Sequence, residues 1–468
     1  MGWQMTDSVC QYGHSRHNHS YPCAAPLADR EVLLGSIPAF RKDILKATKR
    51  GWDLHGGVVR YRLGPIGVYC VSDYTLATEV LTDTAVYGKL GKTSPVRLLV
   101  GEGLLSIADH DRWKRNRRMM QPMYARSHIA GMCDTMTAAA AEALGDLSVA
   151  GRAAGAVDIH PIMTRTTLDV VSRCMFGLKA ADAELAVTPD AVDEVMTYAF
   201  NRQQNPFSPP VWWPSATNRR FRELMRAFDD FIHGLVRDRR ENPGDRGDLL
   251  DMLLAAKDAD TGESLSDAEI RDEVITTFAA GHESTAQTLT WIFYLLSLNH
   301  GVRAELEAEL DRVLAGRLPT YADLPELAYT LQVVSEALRI YPSAPIIPRL
   351  VLRDTVLGPY RIPKGARLLI NVVNIGHDGK RWADPDTFDP HRFEGDKPRE
   401  APHRAYLPFG AGPRICIGKH FALMEAQLIL AVIAQRFRFE HDPTHPVEAE
   451  AKFTLRPRYG MRMIVSER

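Results

Sequence analysis

The sequence has no long uninterrupted apolar run. The longest, Leu428 to Ala434, is seven residues, whereas a membrane-spanning helix needs about 18 or more. The amino end also lacks the basic start and apolar centre of a secretion signal. These absences argue against a membrane anchor and against secretion, so we expect a soluble, cytoplasmic protein.

Cysteine is scarce, and neither sign of charge is in excess. Six cysteines are scattered over 468 residues without close spacing, which is not the pattern of a disulfide framework, so each thiol must be judged by itself. Lys and Arg number 57 against 58 Asp and Glu, which excludes a global basic field that would attract nucleic acid or an anionic membrane. With 45% hydrophobic and 25% charged residues, the composition is that of an ordinary folded protein.

The first thirty residues are polar and rich in His, Ser and Pro, with no helical or strand period. We therefore predict a flexible tail over residues 1–30 and a single domain over residues 31–468. The tail contains His14, His17 and His19, which raises metal binding as an alternative. No ligand spacing there matches a closed tetrahedral site, so the composition favours a solvated tail.

Hydrophobic periodicity predicts a mainly α fold with a small β subdomain. Alternating residues between 53 and 71 predict a hairpin that turns at Gly64-Pro65, and short β-like segments return near 349–371 and 450–465. The period of 3.6 residues predicts helices near 73–85, 109–121, 127–149, 160–178, 190–204, 217–240, 246–256, 266–298, 300–315, 324–340 and 418–437. No internal repeat or long Gly/Ser linker divides the chain, which favours one large domain.

The longest predicted helix, 266–298, would span about 50 Å at about 1.5 Å per residue. Its start carries the pattern Ser266-Asp-Ala-Glu269, which predicts a capping box. This helix is therefore expected to cross the whole domain.

Three common enzyme signatures fail on individual residues. His282-Glu283 opens like the zinc-protease motif, but Ala286 stands where the second histidine belongs. Gly410-Ala-Gly412 resembles a dinucleotide loop, but Ile415 replaces the third glycine and no βαβ unit surrounds it. The sequence has no GxSxG elbow.

The segment Phe409-Gly-Ala-Gly412-Pro-Arg414-Ile-Cys416-Ile-Gly418 presents one cysteine just before an apolar helix. A helix amino terminus stabilises a thiolate, and a thiolate can bind iron. Gly412 would allow a tight turn and Gly418 a close approach to a flat ligand, while Phe409 would shield the sulfur and Arg414 would meet an acidic group. A packed core cysteine is the commoner alternative, but it does not explain the pattern.

Residues 409 to 418 match every fixed position of Phe-x-x-Gly-x-Arg-x-Cys-x-Gly, so the chain resembles the cytochrome P-450 family of haem-thiolate monooxygenases. The resemblance implies the cytochrome P-450 fold and haem b (iron protoporphyrin IX), with Cys416 as the iron ligand. It also implies an enzyme that inserts one oxygen atom from O2 into a small organic substrate.

A second family element is Glu-x-x-Arg followed by a later Arg. Glu336-Ala-Leu-Arg339 and Arg392 resemble it, which implies a structural ion-pair triad. Two other Glu-x-x-Arg matches, at 223–226 and 309–312, are interpreted as solvated helix pairs.

Trp113-Lys-Arg-Asn-Arg117 resembles the family's Trp-x-x-x-Arg helix, which implies that both residues hold a haem propionate. The resemblance also makes Arg349 a further propionate contact. Residues 112–118 contain five basic side chains in seven positions. Nucleic acid is one alternative partner, but the neutral remainder of the chain favours a solvated face that docks an acidic electron donor.

The segment Ala280-Gly281-His282-Glu283-Ser284-Thr285 resembles the family's oxygen-binding motif. The resemblance implies that Ala280 and Gly281 let the helix approach the haem, and that Glu283, Ser284 and Thr285 form a catalytic proton relay. Ser284 stands where the family usually has threonine. The alternative for Ser284 is a hydrogen bond back to its own helix.

The resemblance also suggests the substrate and the electron donor. Since the chain ends about fifty residues after Cys416, we expect electrons from a separate ferredoxin and its reductase. The resemblance places in the pocket wall the mostly apolar residues Phe200, Phe207, Trp212, Trp213, Phe278, Ile346 and Ile347, which implies an apolar substrate. The segment PPVWWPSATNRRFR resembles soluble actinobacterial members that hydroxylate terpene hydrocarbons, so a terpenoid of specialised metabolism is the first guess. Fatty-acid or polyketide oxidation, a haem-thiolate isomerase or coupling enzyme, and a non-catalytic haem sensor or electron carrier remain alternatives.

Overall fold

The computed structural model describes residues 23–28, 35–64, 66–152, 155–179, 188–204, 208–244, 246–395 and 405–468. The histidines of the predicted tail, Pro65 of the predicted hairpin turn and Phe207 of the predicted pocket lie outside these ranges.

Part of the predicted tail is packed against the domain. Residues 23–28 run along the sheet edge, where Cys23 N donates to Pro359 O at 2.8 Å and Arg60 N donates to Pro26 O at 2.8 Å. Ala25 is only 5% exposed. These backbone hydrogen bonds depend on distant strands, which local composition does not reveal. Cys23 is disulfide-bonded, contrary to the expectation of isolated cysteines, whereas the free thiols are Cys70, Cys133, Cys174 and Cys416.

Helices make up most of the described chain. They are α1 (Ile37–His55), α2 (Tyr74–Thr82), α3 (Arg97–Val100), α4 (His110–Met120), α5 (Arg126–Ala130), α6 (Cys133–Arg152), α7 (His160–Phe176), α8 (Pro189–Gln204), α9 (Ala216–Glu241), α10 (Leu249–Ala255), α11 (Asp267–Leu298), α12 (His300–Leu314), α13 (Ala328–Ile340), α14 (Val372–Gly376) and α15 (Lys419–Ala434). The sequence analysis missed α1, which buries only Phe40, Thr48 and Gly51.

The strands form small sheets beside the helices. They are β1 (Val58–Leu63), β2 (Ile66–Val71), β3 (Tyr87–Gly88), β4 (Val157–Asp158), β5 (Ile346–Val351), β6 (Thr355–Leu357), β7 (Tyr360–Ile362), β8 (Arg367–Asn371), β9 (Phe437–His441), β10 (Ala449–Ala451), β11 (Leu455–Pro457) and β12 (Arg462–Glu467). The largest sheet has the order β1-β2-β8-β5-β3, and β4-β12-β9, β6-β7 and β10-β11 form the others. The prediction of a mainly α fold with a small β subdomain in one domain is confirmed.

Helix α11 crosses the molecule and is buried along most of its length. Its predicted capping box is present: Ser266 Oγ accepts from Glu269 N, and Glu269 Oε2 accepts from Ser266 N at 2.9 Å. Gly281 lies where α11 packs on α7, and a Cβ atom there would come within 2.9 Å of Val171 Cγ2. The close approach of these two helices therefore requires a glycine at this position. None of the helices in the described ranges is long and apolar enough to cross a bilayer.

The predicted ion-pair triad is confirmed. Arg339 Nε lies 2.7 Å from Glu336 Oε2, and Arg392 Nε lies 3.2 Å from Glu336 Oε1. The remaining donors of Arg339 reach backbone carbonyls, at Gly376 and Pro385 among others. The cluster ties α13 to the segment that leads towards the cysteine loop, and it satisfies its charges within the protein.

Candidate functional site

Cys416 lies three residues before Lys419, the first residue of α15, and Gly418 is the N-cap of that helix. Its backbone N donates to Phe409 O at 2.9 Å, which closes the loop on itself. The Cys416 side chain has an exposed surface, yet burial is the main influence on the thiol and raises its pKa. The thiol therefore faces a space enclosed by protein. The Gly418 N–H and the charges of Arg117 and Lys419 act in the opposite direction and favour the thiolate.

The loop around Cys416 is shaped by its glycines. Gly412 has φ +70°, and a Cβ atom there would collide with the Leu81 carbonyl at the end of α2. A glycine is needed for both reasons. At Gly418 the nearest atom to such a Cβ is Tyr124 Cε1 at 3.8 Å, an ordinary contact. Phe409 is half-buried beside the loop, with the Lys419 ammonium 5.8 Å from its ring centre.

One face of α11 is open in the middle of this otherwise buried helix. Ala280 is exposed although buried Ala279 precedes it, and Gly281 and Ser284 are half-buried. Thr277 Oγ1, one turn before Ala280, lies 3.5 Å from the hydroxyl of Tyr124. Since the Tyr124 ring also lies beside Gly418, 3.8 Å from where a Cβ atom there would stand, one side chain is close to both this face of α11 and the cysteine loop.

Four cations share this region: Lys89, Arg117, Arg349 and Arg414. Burial lowers the pKa of Arg349 to about 10, and it lowers that of Arg414 to about 10 with help from Arg349 and Arg117. Burial, Arg349 and Arg414 together hold the pKa of Lys89 well below its usual range. Buried Trp113 contacts two of the cations: its ring centre lies 4.3 Å from the Arg414 guanidinium and 5.8 Å from that of Arg117.

Within the described ranges, none of the four cations forms an ion pair with a carboxylate. Arg117 and Arg414 donate only to the backbone carbonyls of Ile415 and Ile107, and Arg349 Nε is buried without a hydrogen-bond partner. Buried cations are costly unless an anion compensates them. A planar ligand with two carboxylates would supply that charge, and the thiol would supply a metal ligand. These residues therefore fit haem b, with its two propionates and its iron.

The sequence profile of the family described as Cytochrome P450 matches residues 26–463. The chain belongs to the cytochrome P450 family. As a P450 it is a monooxygenase that binds haem and works with O2, an organic substrate and a redox partner.

Two of the relatives that resemble this P450 come from streptomycetes. Cyclooctatin synthase of Streptomyces melanosporofaciens is 35% identical over 446 residues, 94% of either chain. Pentalenene oxygenase of Streptomyces avermitilis is 34% identical over 405 residues, which is 86% of this chain and 88% of the relative. The crystal structure of the cytochrome P450DA haem domain superposes with a TM-score of 0.87 at 27% identity and covers 96% of this P450 and 98% of that chain.

Glu283, Ser284 and Thr285, the three residues of the predicted proton relay, direct their side chains to different partners. Ser284 Oγ donates back to Ala280 O at 2.8 Å, the alternative considered for this residue, but it stays on the open face of α11. Thr285 Oγ1 donates to Glu425 Oε2 on α15 at 2.7 Å and is buried. Glu283 Oε1 accepts from Thr454 Oγ1 at 2.6 Å. The structure therefore does not bring Thr285 together with Ser284.

Sequence reasoning gave no individual role to four residues of this region: Lys89, Tyr124, Glu425 and Thr454. Lys89 and Thr454 fall in segments expected to line the pocket, 87–100 and 453–455, whereas Glu425 had a local signal as the one carboxylate of the mostly apolar helix α15. It is fully buried, and burial raises its pKa well above the usual range. The other three have no local signal, because only tertiary contacts bring them to the site.

The basic run of α4 is not an open cationic face, contrary to its interpretation as a docking surface. Arg112, Arg115 and Arg118 are neutralised by acids of the same protein, Arg117 belongs to the buried cations, and Lys114 is exposed. The ion pairs are Arg112 with Glu102 and Glu269, Arg115 with Glu269, and Arg118 with Asp258 and Asp260.

The predicted pocket walls are only partly in place. Trp212 and Trp213 are 69% and 51% exposed, so they are surface residues in this structure. Phe278 is buried and stacks on Phe176 of α7, with ring centres 4.2 Å apart, which places it in the core. The half-buried apolar residues that remain are Phe200, Phe453, Ile346 and Ile347.

Proposed function

We propose that this P450 hydroxylates an apolar terpenoid in specialised metabolism. The observation that carries the proposal is that relatives at 34–35% identity are named for terpenoid oxidation, including cyclooctat-9-en-7-ol 5-monooxygenase and pentalenene oxygenase. The apolar residues Phe200 and Phe453, whose rings meet edge to face at 5.9 Å, suit such a substrate.

Bound haem supplies the oxygen chemistry, in which one atom of O2 is inserted into the substrate. In our proposal Cys416 is the iron ligand, and the Gly418 N–H and Arg117 stabilise its negative charge. Arg117, Arg349, Arg414 and Lys89 hold the propionates, and Trp113 supports Arg117 and Arg414 from one side. Phe409 keeps water from the sulfur.

For proton delivery we assign the hydroxyl role to Ser284, because it shares the open face of α11 with Ala280. Glu283, the residue before Ser284, is the acid that accepts and releases the proton. Thr285 and Gly281 are assigned to packing, because the first bonds Glu425 and the second lies against Val171.

The electron donor in this proposal is an acidic ferredoxin with its reductase, in the cytoplasm. The support is a group of cations outside the cysteine loop: Arg126 and His420 are exposed, and Lys419 is half-buried. Arg126 and Lys419 raise the positive potential felt by His420, whose pKa is lowered mainly by burial. Neither Arg126 nor Lys419 forms an ion pair with another described residue, so both are available to a partner's carboxylates. The division into a tail and a domain at residue 31 also stays a prediction.

The test of the proposed function uses the purified haem-loaded enzyme with ferredoxin, reductase and a substrate panel. Sesquiterpene and diterpene hydrocarbons are expected to displace the haem's water ligand, seen as a change of spin state, and to yield products that carry ¹⁸O from labelled O2. Fatty acids are expected to do neither. Product without label would indicate an isomerase or coupling enzyme, and turnover of fatty acids alone would contradict the terpenoid proposal.

Replacement of the iron ligand is the control on the site itself. Cys416→Ser is expected to abolish the thiolate band of the carbon-monoxide difference spectrum, whereas Cys70→Ala, at a buried thiol in the β1–β2 hairpin, is expected to retain it. An unchanged band in Cys416→Ser would end the assignment. Ser284→Ala is expected to divert electrons from product to peroxide, and an unchanged peroxide yield would refute the role of Ser284.

A further inference from the structure

The carboxylate of Glu283 is held by a single side chain from a distant part of the sequence. Thr454 Oγ1 donates to Glu283 Oε1 at 2.6 Å, across 171 residues of chain. Glu283 Oε2 makes no hydrogen bond to any residue in the described ranges. One oxygen is therefore anchored while the other is left to accept and release a proton.

The donor itself is held rigidly in place. Thr454 lies in the turn between β10 and β11, and the next residue, Leu455, is bonded through both backbone groups. Leu455 N donates to Ser343 O at 3.0 Å, and Leu455 O accepts from the indole Nε1 of Trp291 on α11 at 2.9 Å. A hydroxyl fixed in this way meets the carboxylate with little loss of conformational entropy.

The same hairpin contacts helix α8 on the substrate side. Arg456 Nη1 lies 2.7 Å from Asp193 Oδ1, and Phe453 meets Phe200 edge to face. Phe453 and Phe200 are the residues to which we assigned the apolar substrate. The residue beside this contact, Thr454, is therefore the link between the substrate region and the acid of α11.

The charges around Glu283 come from two elements other than its own. Asp193 of α8 raises the pKa of Glu283, whereas Arg456 and Lys452 of the hairpin lower it. Burial is the largest influence and raises the pKa, and the Thr454 hydrogen bond opposes it. Arg456 and Lys452 are themselves partly compensated by Glu450, at 3.7 and 3.6 Å. Among the groups that lower the pKa of Glu283, Thr454 therefore acts most strongly, and it acts through a direct hydrogen bond.

We propose that Thr454 is a positioning residue for the reaction: its hydroxyl anchors Glu283 Oε1 and leaves Oε2 directed to proton transfer. The proposal rests on the proposed function, in which Glu283 delivers the proton. Thr454 itself transfers no proton, since its O–H remains the donor throughout.

The test compares four variants of the full-length, haem-loaded enzyme. Thr454→Val removes the hydroxyl at nearly constant volume, Thr454→Ser restores it, and Glu283→Gln removes the acid. Thr444→Val is the matched control, because exposed Thr444 likewise donates its Oγ1 hydrogen to a carboxylate, that of Asp442, at 2.6 Å. An unchanged carbon-monoxide spectrum and haem content show that each variant is folded.

Two measurements distinguish positioning from a structural role. The first is the ratio of product to electrons consumed, as a function of pH: we expect Thr454→Val and Glu283→Gln each to lower it several-fold, and the double variant to lower it no further. The second is an infrared titration of the Glu283 carboxyl in the resting enzyme, identified by its loss in Glu283→Gln. In Thr454→Val its midpoint should rise by about one pH unit, because a hydrogen bond to the charged form is lost.

Thr454→Ser is expected to restore both properties, and Thr444→Val to leave both as in the parent enzyme. If Thr454→Val behaves like Thr444→Val while Glu283→Gln still loses product, the positioning role is overturned and the relay stands. If Glu283→Gln keeps the full ratio of product to electrons, the relay of the proposed function is wrong, and the role of Thr454 falls with it.

Discussion

Two groups of buried cations in this protein differ in how their charge is compensated. Around Glu336, the guanidinium groups of Arg339 and Arg392 meet a carboxylate and several backbone carbonyls, and Glu336 and Arg339 are at most 2% exposed. Around Arg349, the four cations of the cysteine region lie within electrostatic reach of one another, and none forms an ion pair with a carboxylate of the described residues. The first group is complete within the chain, whereas the second needs an anion from outside it.

The presence of a carboxylate in the first group and its absence from the second are reflected in the pKa values of their members. Burial of Glu336 raises its pKa, but Arg339 opposes this strongly. In the second group burial and like charges act together, and the pKa values of Arg349, Arg414 and Lys89 all fall. Compensated charges therefore support the fold, and uncompensated charges indicate a ligand site.

The largest expected effect lies in the compensated group. Glu336→Gln would leave two buried guanidinium groups without their anion, and we expect it to lower the free energy of unfolding by about 3–5 kcal/mol. Chemical denaturation of the haem-free protein measures the effect. The control is Glu326→Gln, an exposed acid 3.9 Å from Arg312, with an expected loss of at most about 1 kcal/mol. Equal losses would remove the distinction between the two groups.

The comparison also applies to a buried acid whose negative charge has no cation beside it within the described ranges. Glu273 of α11 is fully buried, and burial raises its pKa to about 7. Because the ordinary value in the unfolded chain is about 4.5, the folded protein loses stability as the pH rises from about 4.5 to 7, by roughly 2–4 kcal/mol. Above that window the loss is constant.

Glu273→Gln is expected to abolish this dependence. The amide still accepts from Leu104 N, the 3.0 Å partner of the carboxylate, and has no charge to bury. Urea denaturation at pH 4.5 and pH 8 should show the variant more stable than the parent at pH 8 only. A gain of equal size at both pH values would contradict the assignment to ionisation.

Arg349→Met tests the uncompensated cations directly. Its expected effects have opposite signs: the haem-free protein should be as stable as the parent or slightly more stable, since a buried unpaired charge is removed. Haem affinity should fall by about ten- to a hundredfold, because a hydrogen bond between charged groups is lost, at about 1.5–3 kcal/mol. Haem titration and haem-free denaturation provide the two measurements, with exposed Arg353→Met as the control. Destabilisation of the haem-free protein would show that Arg349 is compensated after all.

The smallest effect concerns cations exposed to water, which need no compensation. Arg126→Glu is expected to slow reduction by an acidic ferredoxin several-fold at low ionic strength, and the difference should vanish in high salt. Stopped-flow reduction measures it, with exposed Lys364→Glu in the β7–β8 connection as the control. A slowing that persists in high salt would argue against electrostatic docking.

Much of the fold was predictable because its signals are local. The capping box of α11 joins Ser266 to Glu269, and the ion pair of α13 joins Glu336 to Arg339, so each depends on two residues three apart. Cys416 likewise lies close in sequence to the start of α15. The packed residues 23–28 escaped prediction for the opposite reason. Their order comes from backbone hydrogen bonds to distant residues, such as that of Cys23 N to Pro359 O.

The sequence by itself determined the mainly α architecture and the loop that presents Cys416, because backbone geometry and neighbouring side chains carry that information. Only the tertiary structure decided which residues meet: Thr285 with Glu425 across 140 residues, Glu283 with Thr454 across 171, and Lys89 with Arg349 and Arg414. It also showed that Gly281 serves the contact with α7. The physical reason is that burial, and the compensation of charge that burial requires, depend on all elements packed around a group.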